Sequence, residues 1–509
     1  MTPRLQADRL HEEGLAFLRT GRLDEALDRI GRAIDLAAET ELPAQKTAPS
    51  AQQTALSALK TALSAQQTAR LHNSFGAVLV ELGQSEAAAS SFRTALALAP
   101  GEAPAWSNLG SVATSMAAHL RALVLDPLAA AAYGNLGALA ERLGDSRQAL
   151  RRYRQAAALD PAGARFWSNL GSAHYWAGRL APAGRALDRA LALAPDFADA
   201  RFHRGQLRLL RGDYVQGLVD YESRWERRGA GRPRLAIPSW TGEDPRGKRL
   251  LVWAEQGHGD TLQFARFVPL LGRRGAEVVL VAPRPLLPLL ASLAGVARLM
   301  APGEPLPAAD FQAPLMSLPL LLGLGDRTPA PVVSYLAPPS PATPPSSLAR
   351  DGRPRIGLVW AGSPANASDA WRSLDLERLR PVVALDGLGF VSLQLGARAA
   401  DLAASGLADR IEATPGGLVD FAATAAVVAS LDLVITVDTA MAHLAGAIGK
   451  EAWMLLTHVP DWRWGLSGET TSWYPSLRLF RQERQGDWDP VVDKLARALA
   501  ERFSGTLRG

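Results

Sequence analysis

The sequence predicts an α-helical repeat solenoid followed by two α/β lobes, and three observations predict it. Up to about residue 228, glycines recur with a period of about 34 residues, at Gly76, Gly110, Gly137, Gly171 and Gly205. Beyond residue 249, strand-like apolar runs alternate with helix-like ones, the pattern of βαβ units and a parallel sheet. Two of those runs end on turns whose residues bear chemistry: Glu255-Gln256-Gly257-His258-Gly259-Asp260-Thr261 and Asp438-Thr439-Ala440-Met441-Ala442-His443.

In the helical half, a second glycine follows seven residues after the first at Gly83, Gly144, Gly178 and Gly212. A large aromatic stands four residues before the first glycine at Trp106, Tyr133 and Trp167. Small and bulky residues then alternate, as in Ala88, Phe92 and Ala95, and proline closes the copies at Pro100, Pro161 and Pro195. Small residues admit close approach of two helices, aromatics fill the space between repeats, and proline stops a helix. Gly14, Gly21, Ala26, Ile30 and Ala33 give a first copy within 1–40. Residues 41–68 interrupt the array with a duplicated Ala/Gln-rich segment, and the array resumes over 69–228. Between Gly110 and Pro127 about seven residues are missing relative to the other copies, so that repeat is expected to have a truncated first helix. These features resemble the tetratricopeptide repeat family, which implies a concave surface for a protein segment; self-association is the other reading of such an array.

A Pro/Gly/Arg linker, 229–248, leads into a first lobe over 249–335. Strands are expected at 249–253, 277–281, 296–300 and 309–314, with helices at 261–271 and 284–294. Pro-rich chain around 328–345, with the linker set at 336–354, separates it from a second lobe over 355–509. There, strands are expected at 355–360, 390–394, 431–437 and 452–457. Two such lobes form a cleft, and ligands bind at the carboxyl ends of parallel strands.

Composition bounds the function. The chain has 509 residues, 48% hydrophobic and 21% charged, with a net charge of +5 and no cysteine. That excludes disulfides, thiolate catalysis and cysteine-based metal centres. The pI near 9.7 reflects a small excess of arginine, and no basic run interleaved with aromatics suggests nucleic acid. The N-terminus lacks the apolar core of a secretory signal, and no apolar run is long enough for an integral membrane segment. The expected location is cytoplasmic.

Several segments together resemble the bacterial glycosyltransferases of the two-Rossmann-lobe GT-B fold, close to the heptosyltransferase family, fused to tetratricopeptide repeats. They are Tyr221-Glu222-Ser223-Arg224-Trp225, the stretch Glu255 to Arg266, Val437 to Gly446, and Pro460-Asp461-Trp462-Arg463-Trp464. The architecture is also similar to O-linked protein glycosyltransferases, whose repeats present the acceptor. The resemblance implies inverting, metal-independent transfer from a nucleotide-sugar co-substrate, with no further cofactor, and donor binding by the second lobe.

Such transfer needs a base for the acceptor hydroxyl and positive charge or N–H donors for the leaving diphosphate. The resemblance makes Asp260 the base; a helix N-terminal carboxylate satisfying backbone N–H groups is the competing reading. Gly257 and Gly259 allow a ligand to approach the backbone, or simply make a tight turn. Gln256 and His258 are candidate acceptor or donor contacts. Asp438 and Thr439 open a helix suited to a diphosphate, and His443, one turn on, is within reach of a phosphate or ribose; an N-cap for Asp438 and a packed interface histidine for His443 are the competing readings. Arg372 and Ser373 follow the loop from Ala361, where an arginine can neutralise a phosphate or make a surface ion pair. Gln394 ends a strand near the base or sugar. The family's histidine and Asn-Asp pair are not reproduced in Ala365-Asn366-Ala367-Ser368-Asp369.

Three functions compete: transfer to a protein, with flagellin or another surface protein as candidate acceptor; transfer to lipopolysaccharide or polysaccharide; and a non-catalytic repeat scaffold carrying a decayed transferase domain.

Overall fold

The computed structural model describes residues 3–39, 51–227, 229–324, 334–338, 352–364, 366, 369–413 and 418–504. The chain divides into two compact units: 1–174 with 189–195, and 175–188 with 196–509.

The first unit is built of helices: α1 (Pro3–Arg19), α2 (Leu23–Glu39), α3 (Ala51–Glu81), α4 (Ser85–Leu98), α5 (Ala103–Val112), α6 (Met116–Leu125), α7 (Ala130–Arg142) and α8 (Ser146–Leu159), then most of α9 (Ala164–Trp176) and the end of α10 (Leu180–Leu193). The recurring glycine has a steric cause. A Cβ on Gly14 would lie 2.5 Å from Ile30, on Gly76 2.5 Å from the Phe92 ring, and on Gly137 2.6 Å from the Tyr153 ring. Each glycine thus makes room on one helix for the bulky residue of its hairpin partner. The aromatics four residues upstream have a second job: the indole N–H of Trp106 donates to Pro100 O, and that of Trp167 to Pro161 O, each at 2.9 Å. They pin the proline turn that ended the preceding repeat. The part of the Ala/Gln-rich insertion from residue 51 on is continuous with α3, and residues 41–50 lie outside the described residues.

The short repeat departs from expectation in one respect. The loss is not confined to its first helix: α5 and α6 have 10 residues each, against 13 in α7 and 14 in α8. Each helix is therefore shorter by about one turn of 3.6 residues, which preserves the phase of the faces they bury. The turn between them carries Thr114 at φ 53°, where Gly83 and Gly144 take φ 75° and 77° in their own hairpins. Opposite Gly110 stands His119, in the place that Phe92 and Tyr153 occupy in theirs.

The second unit holds two parallel sheets. β1 (Arg249–Trp253), β2 (Glu277–Val281), β3 (Val296–Met300) and β4 (Phe311–Pro314) align in the order β3-β2-β1-β4. β5 (Arg355–Val359), β6 (Gly389–Ser392), β7 (Ile411–Ala413), β8 (Leu433–Val437), β9 (Ala452–Leu456) and β10 (Leu477–Arg481) align as β10-β9-β8-β5-β6-β7. β5 and β8 are buried along their whole length, as central strands covered on both faces must be. β7 and β10 were not foreseen. The helix expected over 261–271 is two pieces, α13 (His258–Ala265) and Val268–Arg273, and that over 284–294 ends by Leu290.

This unit also contains α11 (Ala198–Leu210) and α12 (Tyr214–Tyr221), the last helical hairpin. Tyr214 meets Trp462 and Trp473 edge-on at 6.2 and 6.3 Å, and Tyr221 meets Trp462 at 6.2 Å. Past α12, the Arg224 guanidinium donates to Glu255 and to Ser317, each at 2.8 Å, and Trp225 packs on Trp253 at 5.2 Å. The hairpin shares its core with the sheets. Among the described residues no helix is long and apolar enough to cross a membrane.

His119 yields a prediction. It is fully buried and neither ring nitrogen has a partner; burial, helped by the Arg142 charge, lowers its pKa to about 4. The folded state therefore resists a proton that the unfolded chain accepts near 6.5. Stability of the first unit is full above that value and falls as pH drops from 6.5 to 4, by roughly 3 kcal/mol. Urea denaturation at several pH values will show this slope in the wild type and a shallower one in His119→Leu, where His11 and His72, also lowered by burial, still contribute.

Candidate functional site

The second unit carries a cleft of about 910 Å³ at the carboxyl ends of its strands. Of the sequence-predicted residues, Gln256, Gly257, His258, Gly259, Asp260, Arg372, Gln394, Asp438, Thr439 and His443 all line it. Ser373 does not: its hydroxyl donates to Asp369 and accepts from the Gly362 amide, both at 2.9 Å, and so shapes the loop under Arg372.

The glycine turn after β1 is bent sharply. Gln256 adopts φ 61°, a region costly for a residue with a side chain. Behind it Glu255 is held by Arg224, yet its Oε2 has no partner, and burial pushes this carboxyl up to about 7. Ahead of it, the Asp260 carboxylate accepts the Gly257 amide at 2.9 Å and the guanidinium of Arg463. Both sequence readings of Asp260 are thus present in one side chain: it caps its helix and it faces the cleft. Burial raises its pKa, and the Arg463 charge opposes that rise.

Arg463 organises the site, and its role was not read from the sequence. It follows β9, and its side chain is 7% exposed. Its Nε donates to Gln263, one terminal nitrogen to Asp260, and the other to Asp461 at 2.8 Å. Gln263 and Asp260 belong to α13, about 200 residues upstream, so one guanidinium joins the first sheet's helix to the loop of the second. The sequence signal was only that arginine sits inside the Asp461-Trp462-Arg463-Trp464 motif.

Gly259 is needed for close approach, and the partner is protein. A Cβ there would lie 2.7 Å from the His443 ring and 3.4 Å from Ala440 Cα. α13 therefore crosses the helix Ala440–Ala447 almost in backbone contact. His443 itself is buried, with Nδ1 3.0 Å from the Tyr474 hydroxyl and its ring tilted against Trp464 at 5.3 Å. Burial, reinforced by Arg463, Arg266 and Arg372, holds its pKa well below the usual histidine value. It lines the cleft as a neutral imidazole.

The second lobe offers a mixed electrostatic wall. Thr439 is the N-cap of Ala440–Ala447, its hydroxyl accepting the Met441 amide at 3.2 Å, which directs the positive end of the helix at the cleft. Arg372 lies over Gly362, whose added Cβ would sit 2.6 Å from the guanidinium. Its paired carboxylate, Asp369, is 3.5 Å away, a loose contact that leaves the charge available. Asp438 opposes these groups. Burial and the Asp461 charge push its pKa up to about 6, against the pull of Arg372. Gln394 is committed elsewhere: its carboxamide accepts the amides of Trp360 and Ala361 and donates to the carbonyls of Ala361 and Leu395, at 2.9–3.1 Å. It fixes the loop after β5 and presents only its flank. His258 stacks edge-on against Phe421 at 5.2 Å.

Comparison with known proteins bears on the helical part first. Residues 69–102, 135–196 and 177–233 match models described as tetratricopeptide repeat. The helical half carries tetratricopeptide repeats. Protein FlbA of Caulobacter vibrioides is 31% identical over 334 residues, which is 60% of this chain and 56% of that protein. The chain thus spans about half the length of the curated relative it matches. Among solved structures, the tetratricopeptide repeat protein TTC0263 of Thermus thermophilus is 19% identical over 40% of this chain and 99% of its own, with a TM-score of 0.32. PilF of Pseudomonas aeruginosa is 16% identical over 45% and 95%, also with a TM-score of 0.32.

The geometry predicts the weight of Arg463. Replacing it with methionine takes the shared cation from Asp260 and Asp461, both part-exposed at the cleft, and the donor from Gln263, a loss of about 1–3 kcal/mol. Denaturant unfolding of Arg463→Met beside the wild type measures it. An Arg484→Met control changes stability by less than about 0.5 kcal/mol, as expected for a surface site.

Proposed function

We propose that the chain is a glycosyltransferase of the GT-B type that moves a sugar from a nucleotide-sugar to a protein acceptor presented by its repeats. The observation that carries this reading is the meeting, in one cleft, of Asp260 on the first lobe with Arg372 and the Thr439 helix N-terminus on the second. One is a base candidate, and the other two suit a diphosphate.

In this reading the acceptor oxygen attacks the anomeric carbon while the bond to the diphosphate breaks. The hydroxyl proton passes to Asp260, and the nucleoside diphosphate leaves with its charge against Arg372 and the helix N-terminus. Burial raises the affinity of Asp260 for that proton, and Arg463 fixes the direction of its lone pairs. Attack from the face opposite the leaving group inverts the sugar's configuration. The repeats support a protein acceptor over lipopolysaccharide or polysaccharide, because arrays of this kind present extended peptide-binding surfaces.

Binding and turnover of a panel of UDP-, GDP-, ADP- and CMP-sugars test the reading. The wild type is expected to be stabilised by one donor class and to turn it over. Asp260→Asn should keep donor affinity within about twofold and lose turnover by roughly 10²–10⁴. A panel that stabilises nothing leaves the scaffold reading standing instead.

Asp438 gives the pH dependence. Its carboxylate faces the same wall as the diphosphate, so the neutral acid is the better host. Because its pKa is about 6, affinity for a nucleotide-sugar, whose own phosphates do not titrate in this range, should rise as pH falls from 7.5 to 5.5. The expected gain is roughly threefold to tenfold. Isothermal titration should show it in the wild type and a flat profile in Asp438→Asn.

A further inference from the structure

The last repeat hairpin does more than pack against the sheets. Phe202 and Gln206, one turn apart on α11, and Tyr221 at the end of α12 line the same cleft as Asp260. At about 910 Å³ the cleft lies near the upper end of small-molecule sites, about 300–1,000 Å³, so it has room for part of a second substrate beside a nucleotide-sugar. The groups suited to a diphosphate, Arg372 and Thr439, come from the second lobe. Tyr221 packs on Trp462, next to Arg463 and hence to Asp260, which puts the hairpin on the base's side of the cleft.

The cations around this wall are each met by a carboxylate, Arg227 beside Phe202 by Asp199 at 2.6 Å. All three arginines of α11 are already paired: Arg204 and Arg208 with Asp220, at 2.7 and 2.6 Å, and Arg201 with Glu226 at 3.0 Å. No cation is left on α11 to receive a phosphorylated acceptor. The Phe202 ring, which could otherwise stack on a sugar, is covered by the Arg227 guanidinium at 4.3 Å and by Tyr221 at 5.2 Å with a 32° tilt. The Gln206 Oε1 accepts from the His203 Nδ1–H at 3.2 Å. Its amide nitrogen has no partner among the described residues, so it keeps N–H donors for an incoming carbonyl.

Resting on the glycosyl-transfer reading, we infer that Phe202 and Gln206 form the acceptor subsite and select an uncharged polypeptide segment. Gln206 donates to a backbone carbonyl of that segment, and the edge of Phe202, the part of the ring that Arg227 and Tyr221 leave open, borders a neighbouring apolar side chain, which brings a serine or threonine hydroxyl to Asp260. The hairpin is then the point at which recognition by the repeats becomes orientation for chemistry.

The experiment uses the full chain, the donor that the nucleotide-sugar panel identifies, and two acceptor probes: a degenerate pool of Ser/Thr-containing peptides and a phosphorylated lipopolysaccharide core oligosaccharide. Wild type, Gln206→Ala, Gln206→Leu and Phe202→Ala are compared for donor affinity, donor hydrolysis by water, and transfer to each probe. The inference expects transfer to peptides. In the Gln206 variants kcat/KM for peptides should fall about tenfold, mainly through KM, with donor affinity and hydrolysis within about twofold of wild type. Phe202→Ala should fall at least as far; if it fails to fold, the Gln206 pair still decides. Unchanged peptide transfer in the Gln206 variants overturns the inference, as does transfer to the core oligosaccharide alone. A wild type that binds no donor takes down the glycosyl-transfer reading, and this inference with it, a result distinct from the other two.

Discussion

One buried guanidinium, that of Arg463, carries the arrangement of the α/β unit. Its charge is met by Asp260 and Asp461 and its Nε by Gln263. Such a cation is tolerable only when every acceptor is in place, because an unpaired buried charge costs several kcal/mol. The requirement acts in both directions. The loop after β9 must sit where it can reach α13, and α13 must turn Asp260 toward that loop. Gly259 permits this by letting α13 lie against His443 and Ala440 without a side chain between them. The carboxylate that faces the cleft is thus held by backbone on one side and by a cation from the other lobe on the opposite side.

The same unit extends into the helical repeats. The aromatic contacts of Tyr214 and Tyr221 with Trp462 and Trp473, and the Arg224 link to Glu255 and Ser317, bind the last hairpin to both lobes. The link matters for the turn after β1. Glu255 is anchored by Arg224 immediately before Gln256 enters its positive-φ conformation, so the end of the repeat array supports the strained residue that precedes Gly257 and Asp260. A change in the hairpin therefore reaches the cleft through one ion pair and one turn.

Much of this was legible wherever the cause is local. The repeat glycines follow from contacts within single hairpins, such as Gly76 with Phe92, and a fixed period exposes them. The turns at 255–261 and 438–443 stand directly after apolar strands, so their place at the cleft follows from the βαβ rule. What could not be read depends on distant chain. Arg463 finds Asp260 and Gln263 across some 200 residues, and the motif around it shows no periodicity. Gln394 looks from its strand-end position like a ligand contact, but its carboxamide is consumed by the backbone of Trp360, Ala361 and Leu395. In the short repeat, residue counting located the deletion; only the helix lengths showed that both helices share it. β7, an edge strand of three residues, carries too short a pattern to stand out, and β10, the opposite edge, is broken up by Arg478 and Arg481.

The central claim is that a nucleotide-sugar occupies the cleft organised by Arg463. Hydrogen–deuterium exchange of the full chain, with and without a saturating nucleotide-sugar from the panel, tests it most directly. The account predicts slowed exchange in three regions at once: the turn and helix at 256–263, the segments 361–364 and 369–373, and the helix start at 438–443. Protection confined to the repeats of the first unit, or none with any donor class, would contradict it.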